Sequence, residues 1–463
     1  MRLMRLNRNR NGITAKSARL KRSCARLLLG AAVLSVANTA SADDWPGWMG
    51  AQRDDVYRES GVVTEIPSEG LPVKWRHPVG AGYSGPAVAG GKVFVTDYLT
   101  SSGQLFNDPG QRAKLKGRER LLALDEQTGE VIWEYAYDRP YDISYPSGPR
   151  ATPTIDGDRV YFLGAEGDFA CLDTSDGSVI WKRNLVADFA ADVPIWGFSG
   201  HPLVHGELVY TMVGGEGQGL VAFDKKTGEV RWKALDTPAG YCAPTLVQAG
   251  GTTQLISFHP EGVTSFDPET GKPFWEIAVS PSYEMAVAVP AFDGNLMYVS
   301  SIHTEAVMIE LDSSTPTAKE LWRGEAKNAV HCSNAPAAFD DGVVYGTDCN
   351  QGDLIAVDAK NGDRLWSTFQ ATKPDEKRFI KHGTAFITQI GDSDRYYLMS
   401  ETGDLLVAKL TAKGYEELGR MKVVEPTGEA FGRPVVWSHP AYANHAAFIR
   451  NDKEIVAVDL TAK

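Results

Sequence analysis

Eight places in this sequence share one local arrangement that brings chemistry-bearing side chains to the start of an apolar, alternating run. Seven are marked by Pro86, Pro153, Pro202, Pro244, Pro290, Pro336 and Pro440, and the eighth has Ala385 instead. Three residues before each mark stand Tyr83, Arg150, Ser199, Tyr241, Val287, Ser333, His382 and Trp437. Close by are His201, His439, Cys242, Asn334, His331, Cys332, Lys381 and Glu284, so four of the nine histidines fall at these strand starts. Aromatic rings beside Arg150 and Lys381 can hold a flat or anionic ligand by stacking and charge-assisted hydrogen bonds. Clustered imidazoles can instead ligate a metal. The plain structural reading is that such polar groups only satisfy strand ends and bound waters. The candidate ligand-binding set is Tyr83, Arg150, His201, Tyr241, Glu284, His331, Asn334, Lys381, His382, Trp437 and His439. No Gly-x-Ser-x-Gly, His-Glu-x-x-His or phosphate-binding loop occurs, so no catalytic residue is assigned.

For these residues to converge, the eight runs must be arranged around one axis, and the rest of each repeat says how. Five segments run from an apolar-Asp step to a tryptophan: Leu124-Asp125 to Trp133, Leu172-Asp173 to Trp181, Phe223-Asp224 to Trp232, Phe266-Asp267 to Trp275, and Val357-Asp358 to Trp366. Each carries a glycine between the two (Gly129, Gly177, Gly228, Gly271, Gly362). A sixth, Leu311-Asp312 to Trp322, lacks the glycine, and a seventh, Ala408 to Leu418, keeps Gly414 but has lost both Asp and Trp. Successive tryptophans lie 48, 51, 43, 47 and 44 residues apart, a period that fits one propeller blade. Within a unit, the Asp side chain accepts turn N–H groups and Gly supplies a positive φ. The indole on the next strand must be buried, and the slot between neighbouring blades is its expected place. The repeated aspartates are therefore structural rather than catalytic pairs.

The ends supply the last blade. Ile455–Leu460 reads as a third strand with no fourth after it, and Leu71–Arg76 reads as a Trp-bearing fourth strand with nothing before it. Pairing them closes the ring and removes exposed sheet edges. The expected fold is all-β: an eight-bladed β-propeller of four-stranded antiparallel blades over residues 71–463, preceded by a lead-in at 43–70. Thr100 to Arg118 is expected to be an exposed excursion of the first blade. Neither the excursion nor the lead-in, with Trp45 and Trp48, carries a chemical motif.

Residues 1–42 hold nine Lys/Arg and no Asp/Glu, followed by an apolar stretch at Leu27–Val36 and Ala40-Ser41-Ala42. This reads as a secretory signal peptide cleaved after Ala42, giving an exported chain, periplasmic or extracellular, with no stable membrane anchor. The remaining 38 basic against 59 acidic residues, a net of −21, argue against nucleic acid as a partner. Cys332 and Cys349 fall at the start of one strand and the end of the next, where antiparallel pairing brings ends close. A disulfide and two buried thiols are both open readings there. Cys171 reads as core.

The Ala-x-Asp-x-x-Thr-Gly-x-x-x-Trp signature, with Trp45-Pro46-Gly47-Trp48 ahead of it, resembles the pyrroloquinoline quinone (PQQ) repeat over about residues 45–463. That repeat occurs in quinoprotein dehydrogenases and in BamB-type outer-membrane assembly lipoproteins. The second branch implies a non-enzymatic binding or scaffold propeller with protein or peptide partners. The first implies a PQQ-dependent oxidoreductase; a small-ligand binder using the histidine-rich channel mouth is a further reading of the same residues. The dehydrogenases commonly use an adjacent cysteine pair and a Ca²⁺ held by acidic and amide side chains. This chain has no adjacent cysteines, no Cys-x-x-Cys-His haem motif and no lipobox.

Overall fold

A computed structural model describes residues 43–325, 327–374 and 379–462. Residues 1–42, where the sequence leads one to expect a signal peptide, lie outside the described residues. Eight four-stranded antiparallel blades follow one another, seven of them with their strands in consecutive order. Blade 1 is built on Ala87–Ala89, Lys92–Gly103, Ala113–Asp125 and Val131–Asp138. Blades 2 to 7 begin with Thr154–Asp156, Leu203–His205, Thr245–Ala249, Ala291–Asp293, Ala338–Asp340 and Ala385–Ile390. Blade 8 combines Ala441–Ala443, Ala446–Arg450 and Glu454–Asp459 with Val73–Pro78 from the start of the domain. Trp75 pairs with Ala457 in that closing ladder. Regular helix among the described residues is confined to Leu185–Phe189 and a 3₁₀ turn at Ser282–Glu284.

The tryptophans clasp the blades together. The indole N–H of Trp133 donates to the Thr174 carbonyl of the next blade's turn at 3.0 Å. Trp75, Trp181, Trp232 and Trp322 do the same to Glu126, Lys225, Pro268 and Ala359. Each acceptor follows the turn aspartate by one residue, so the repeat that makes the turn also presents the docking carbonyl. The turn glycine lies flat under the ring: a Cβ on Gly177 would sit 2.6 Å from Trp133, and its φ is +72°. Asp125 Oδ1 accepts the N–H groups of Gln127 and Thr128, as expected for the turn.

Trp275 breaks the series for a reason visible in the repeat. The following unit has Pro316 where the others have glycine. Its turn Asp312–Thr317 packs over Gly250 instead, and the half-buried Trp275 turns back to donate to Gln254 Oε1 of its own blade at 2.8 Å.

The lead-in is a plug rather than a tail. It bridges blade 1 at Trp45–Val88, accepts from Ile155 of blade 2 through Pro46, and reaches blade 3 through Arg53, whose guanidinium donates to Pro202 O at 2.9 Å. Val56–Tyr57 then adds a parallel strand to the inner edge of blade 7, against Gln389–Ile390. Trp48 and Met49 are buried on the axis beside Ala243 and Val289.

The 100–118 segment is largely exposed, as expected of an excursion, and it is ordered by strand pairing. Its two arms are long, paired strands with a bulge between Thr100 and Ser102. Ala113 and Leu115 are buried and pair with Ile143 and Tyr141 of an added strand, Tyr141–Ile143.

Candidate functional site

All eight residues placed three before the strand-start marks line a single cavity of about 650 Å³ at the channel mouth. His201, Asn334, Lys381 and His439 from the wider candidate set join them. The register argument works because each first strand runs outward from the axis in the same sense, so equivalent positions in eight blades face one space.

The floor is Trp48, stacked on His201 with ring centroids 4.1 Å apart and 11° between planes, and edge-on to His439 at 6.2 Å. His201 Nδ1 accepts the Thr152 N–H at 2.8 Å. Burial, reinforced by Arg53 and His439, holds His201 well below the usual imidazole range, so it is neutral. His439 is the opposite case. Burial pulls its pKa down, but Asp55 at 2.7 Å from Nε2 and the Pro440 carbonyl at 2.8 Å from Nδ1 outweigh that and raise it. Both ring nitrogens then act as donors, which fits an imidazolium under the floor.

The walls are aromatic. Trp196 packs on Tyr241 at 5.1 Å, Tyr145 on Trp437 at 6.0 Å, and His382 stacks on Phe431 at 4.9 Å. His382 is lowered to about 4 by burial and by His303, Arg433 and Lys381. Arg150 lies over the Tyr83 ring at 5.1 Å, its guanidinium held by the carbonyls of Gly148, Ser144 and Tyr145 rather than by a carboxylate. Among the described residues no Asp or Glu lines this cavity, although the chain beyond residue 42 is strongly acidic. The buried hydroxyl of Tyr145 and the amide nitrogen of Asn334 have no protein partner. Unsatisfied donors facing an aromatic cavity are what a ligand's oxygen atoms can complete.

Five lining residues hold left-handed backbone: Tyr145, Tyr283, His303, His382 and Phe431, with φ between +48° and +68°. Such strain in bulky residues gathers where the surroundings fix a functional shape. The blade 1 hairpin tip roofs the space. Pro109 accepts the Trp196 indole N–H at 3.1 Å, and Asn107 donates to Glu429 O across the mouth at 2.7 Å.

Two expectations are corrected, and the open reading of one cysteine pair is resolved. Glu284 is exposed and outside the lining. His331 is fully buried, its Nδ1 3.6 Å from Asp348 Oδ1. Its neighbours Val330 and Cys332 are bound to Tyr298 and Ser300 of the preceding blade, which turns the imidazole away from the axis. Cys332 and Cys349 are separate buried thiols. Cys349 Sγ accepts the His303 N–H instead, so its side chain is committed to the preceding blade and no disulfide forms. Among the described residues no group of three His, Cys, Asp or Glu side chains is placed to hold a metal ion. Trp48, Tyr145, Trp196, His303 and Phe431 also line the cavity, although the repeat register does not mark them. The only sequence signal for Trp48 is an aromatic pair standing outside the repeat.

The comparisons with known proteins follow the fold. The family model described as outer membrane protein assembly factor BamB matches residues 117–368 and 285–463. This chain belongs to that PQQ-repeat family. A curated relative, outer membrane protein assembly factor BamB of Salmonella typhimurium, is 33% identical over 78 residues, 16% of this chain. The match spans only 20% of that relative's length. The crystal structure of BamB from Moraxella catarrhalis aligns with a TM-score of 0.52 at 15% identity, over 80% of this chain and 99% of that one. Quinohemoprotein alcohol dehydrogenase from Comamonas testosteroni aligns with a TM-score of 0.59 at 13% identity, over 91% and 81%. At these identities both structures establish the family's propeller fold and leave its chemistry to the site.

PQQ, the cofactor implied by the dehydrogenase branch, can be set against the residues present. The stacked rings and Arg150 suit a flat polyanion. The Ca²⁺ that accompanies it does not fit, because no described lining residue is a carboxylate and no described acidic cluster is close enough to hold the ion. No described lining carboxylate can serve as a proton acceptor either, and no redox step is assigned to these side chains.

Proposed function

We propose that this chain is a non-enzymatic binding propeller of BamB type, exported to the periplasm or beyond, which holds partners through its channel mouth. The observation that carries the reading is the cavity itself: nine Phe, Tyr and Trp side chains, one arginine, one lysine and no described carboxylate. Such a lining favours an aromatic or apolar group bearing an anionic charge, as an acidic-aromatic protein segment or a small organic anion presents. Among the described residues no helix is long and apolar enough to cross a membrane.

Calorimetric titration with PQQ as a planar anionic probe, with and without Ca²⁺, tests the reading when paired with alcohol-dependent dye reduction on the same sample. The expected result is Ca²⁺-independent binding, weakened about tenfold or more by Arg150→Ala, and no dye reduction. Ca²⁺-dependent binding with turnover would establish the oxidoreductase reading instead. Absence of binding by PQQ and by aromatic carboxylates of similar size would leave the cavity a structural channel.

A further inference from the structure

Glu59 is a buried carboxylate with an incomplete set of partners. Its side chain is 3% exposed. Oε2 accepts the Tyr57 hydroxyl and the His445 N–H, the latter at 2.7 Å. His445 Nδ1 stands 3.6 Å away, while its Nε2 lies 2.9 Å from the Ser60 carbonyl. Neither lysine nor arginine is ion-paired with Glu59 among the described residues, and the nearby Arg58 is engaged with Asp54. The remaining oxygen, Oε1, is 2.8 Å from the backbone nitrogen of Asp43. A buried carboxylate with no lysine or arginine paired to it lacks the permanent counter-charge that ordinarily offsets its desolvation.

We infer that cleavage after Ala42 creates a specific ion pair: the new α-ammonium of Asp43 docks on Glu59 and locks the lead-in in place. An amide nitrogen at that position donates one hydrogen bond, whereas the same nitrogen as a free terminus carries a full positive charge and three protons. Processing thus converts a neutral contact into a part-buried salt bridge between an exposed terminus and a buried carboxylate. The balance is that of ordinary peptide hydrolysis: water adds across the Ala42–Asp43 bond, the carboxylate leaves with the signal segment, and the amine takes up a proton. The pair matters to the mouth because the same lead-in carries Trp48 and Asp55, the floor ring and the counter-ion of His439. The inference rests on the export reading and is independent of which ligand binds.

The test uses the full precursor, expressed in a host that exports it. Intact mass of the purified product should place the terminus at Asp43. An amine acylating reagent at pH 7 then reports the α-amine, which titrates well below lysine when free. The expected result is acylation of Asp43 at least about tenfold slower in the folded chain than in the urea-unfolded chain, with protection lost in Glu59→Gln. Insertion of one glycine between Ala42 and Asp43 leaves Glu59 intact but displaces the amine. With its terminus verified as that glycine, it should lower Tm by about 2–4 °C and add nothing further in the Glu59→Gln background. Export with cleavage at another residue, or equal acylation rates in folded wild type and Glu59→Gln, would overturn the docking while leaving export standing. An uncleaved, unexported chain would overturn both. Should Glu59→Gln not fold, a glycine insertion that left Tm and acylation unchanged would still reject the docking.

Discussion

The Trp48 indole lies face to face with the His201 imidazole, 4.1 Å apart, and one belongs to the lead-in while the other starts the third blade. This stack closes the axial channel beneath the aromatic cavity. Trp48→Ala should therefore open the floor as well as remove core. The expected cost is about 3–5 kcal/mol of stability, measured by chemical denaturation. Any anionic aromatic probe that binds the mouth should bind more weakly. Unchanged probe affinity with lost stability would confine Trp48 to a packing role.

The docked and undocked tryptophans make a paired comparison. Trp133 donates across the blade boundary, whereas Trp275 stays on its own blade. Trp133→Ala should cost about 3–5 kcal/mol, as for a buried aromatic, and Trp275→Ala distinctly less. Urea titrations of the two variants check the ordering, and equal losses would show that the inter-blade clasp adds nothing beyond burial.

Opposite protonation states under and beside the cavity predict a stability profile with two limbs. His382 is depressed to about 4, below its unfolded value near 6.5, so the unfolded chain binds the extra proton between those values. Stability is then lost as pH falls from about 6.5 toward 4, and His382→Asn, which tolerates the left-handed backbone, should blunt that loss. His439 is raised, so its contribution is complete below the unfolded pKa and fades as pH rises through the folded one. Asp55→Asn should abolish this second limb. Thermal melts from pH 4 to 9 resolve both, and identical profiles for all three chains would reject the assignment.

The propeller is legible in the sequence because its determinants are local and repeated. Asp125, Gly129 and Trp133 state the turn, the flat platform and the clasp in nine residues, and the pattern recurs. The strand-start register is legible for the same reason, which is why Tyr83, Arg150, Tyr241 and His382 align on spacing alone. What the repeat cannot encode is loop conformation. His331 and Cys332 fall in a segment whose backbone is fixed by Tyr298 and Ser300 of another blade, a non-local effect that spacing does not carry. Trp196 and Phe431 reach the mouth from inter-blade loops, and Phe431 does so on a left-handed backbone that no pattern of residue types announces. The plug is hidden because its contacts, such as Arg53 with Pro202, join segments 149 residues apart.

The hairpin roof gives the last prediction. Its tip is tied on one side to Trp196 through Pro109 and on the other to Glu429 through Asn107, so it spans the mouth between the third-blade loop and the Gly428–Val435 hairpin. Its Pro109 and Gly110 line the cavity. Replacing residues 104–110 by a two-residue turn keeps the paired arms and removes the ties. Both association and dissociation of a bound probe should then accelerate, because a barrier common to entering and leaving has been lowered. If the tip instead only supplies ligand contacts and is no barrier, dissociation alone will rise and affinity will fall. Stopped-flow quenching of the mouth tryptophans separates the two outcomes, and rates unchanged in both directions would show that the roof neither gates the cavity nor touches what binds there.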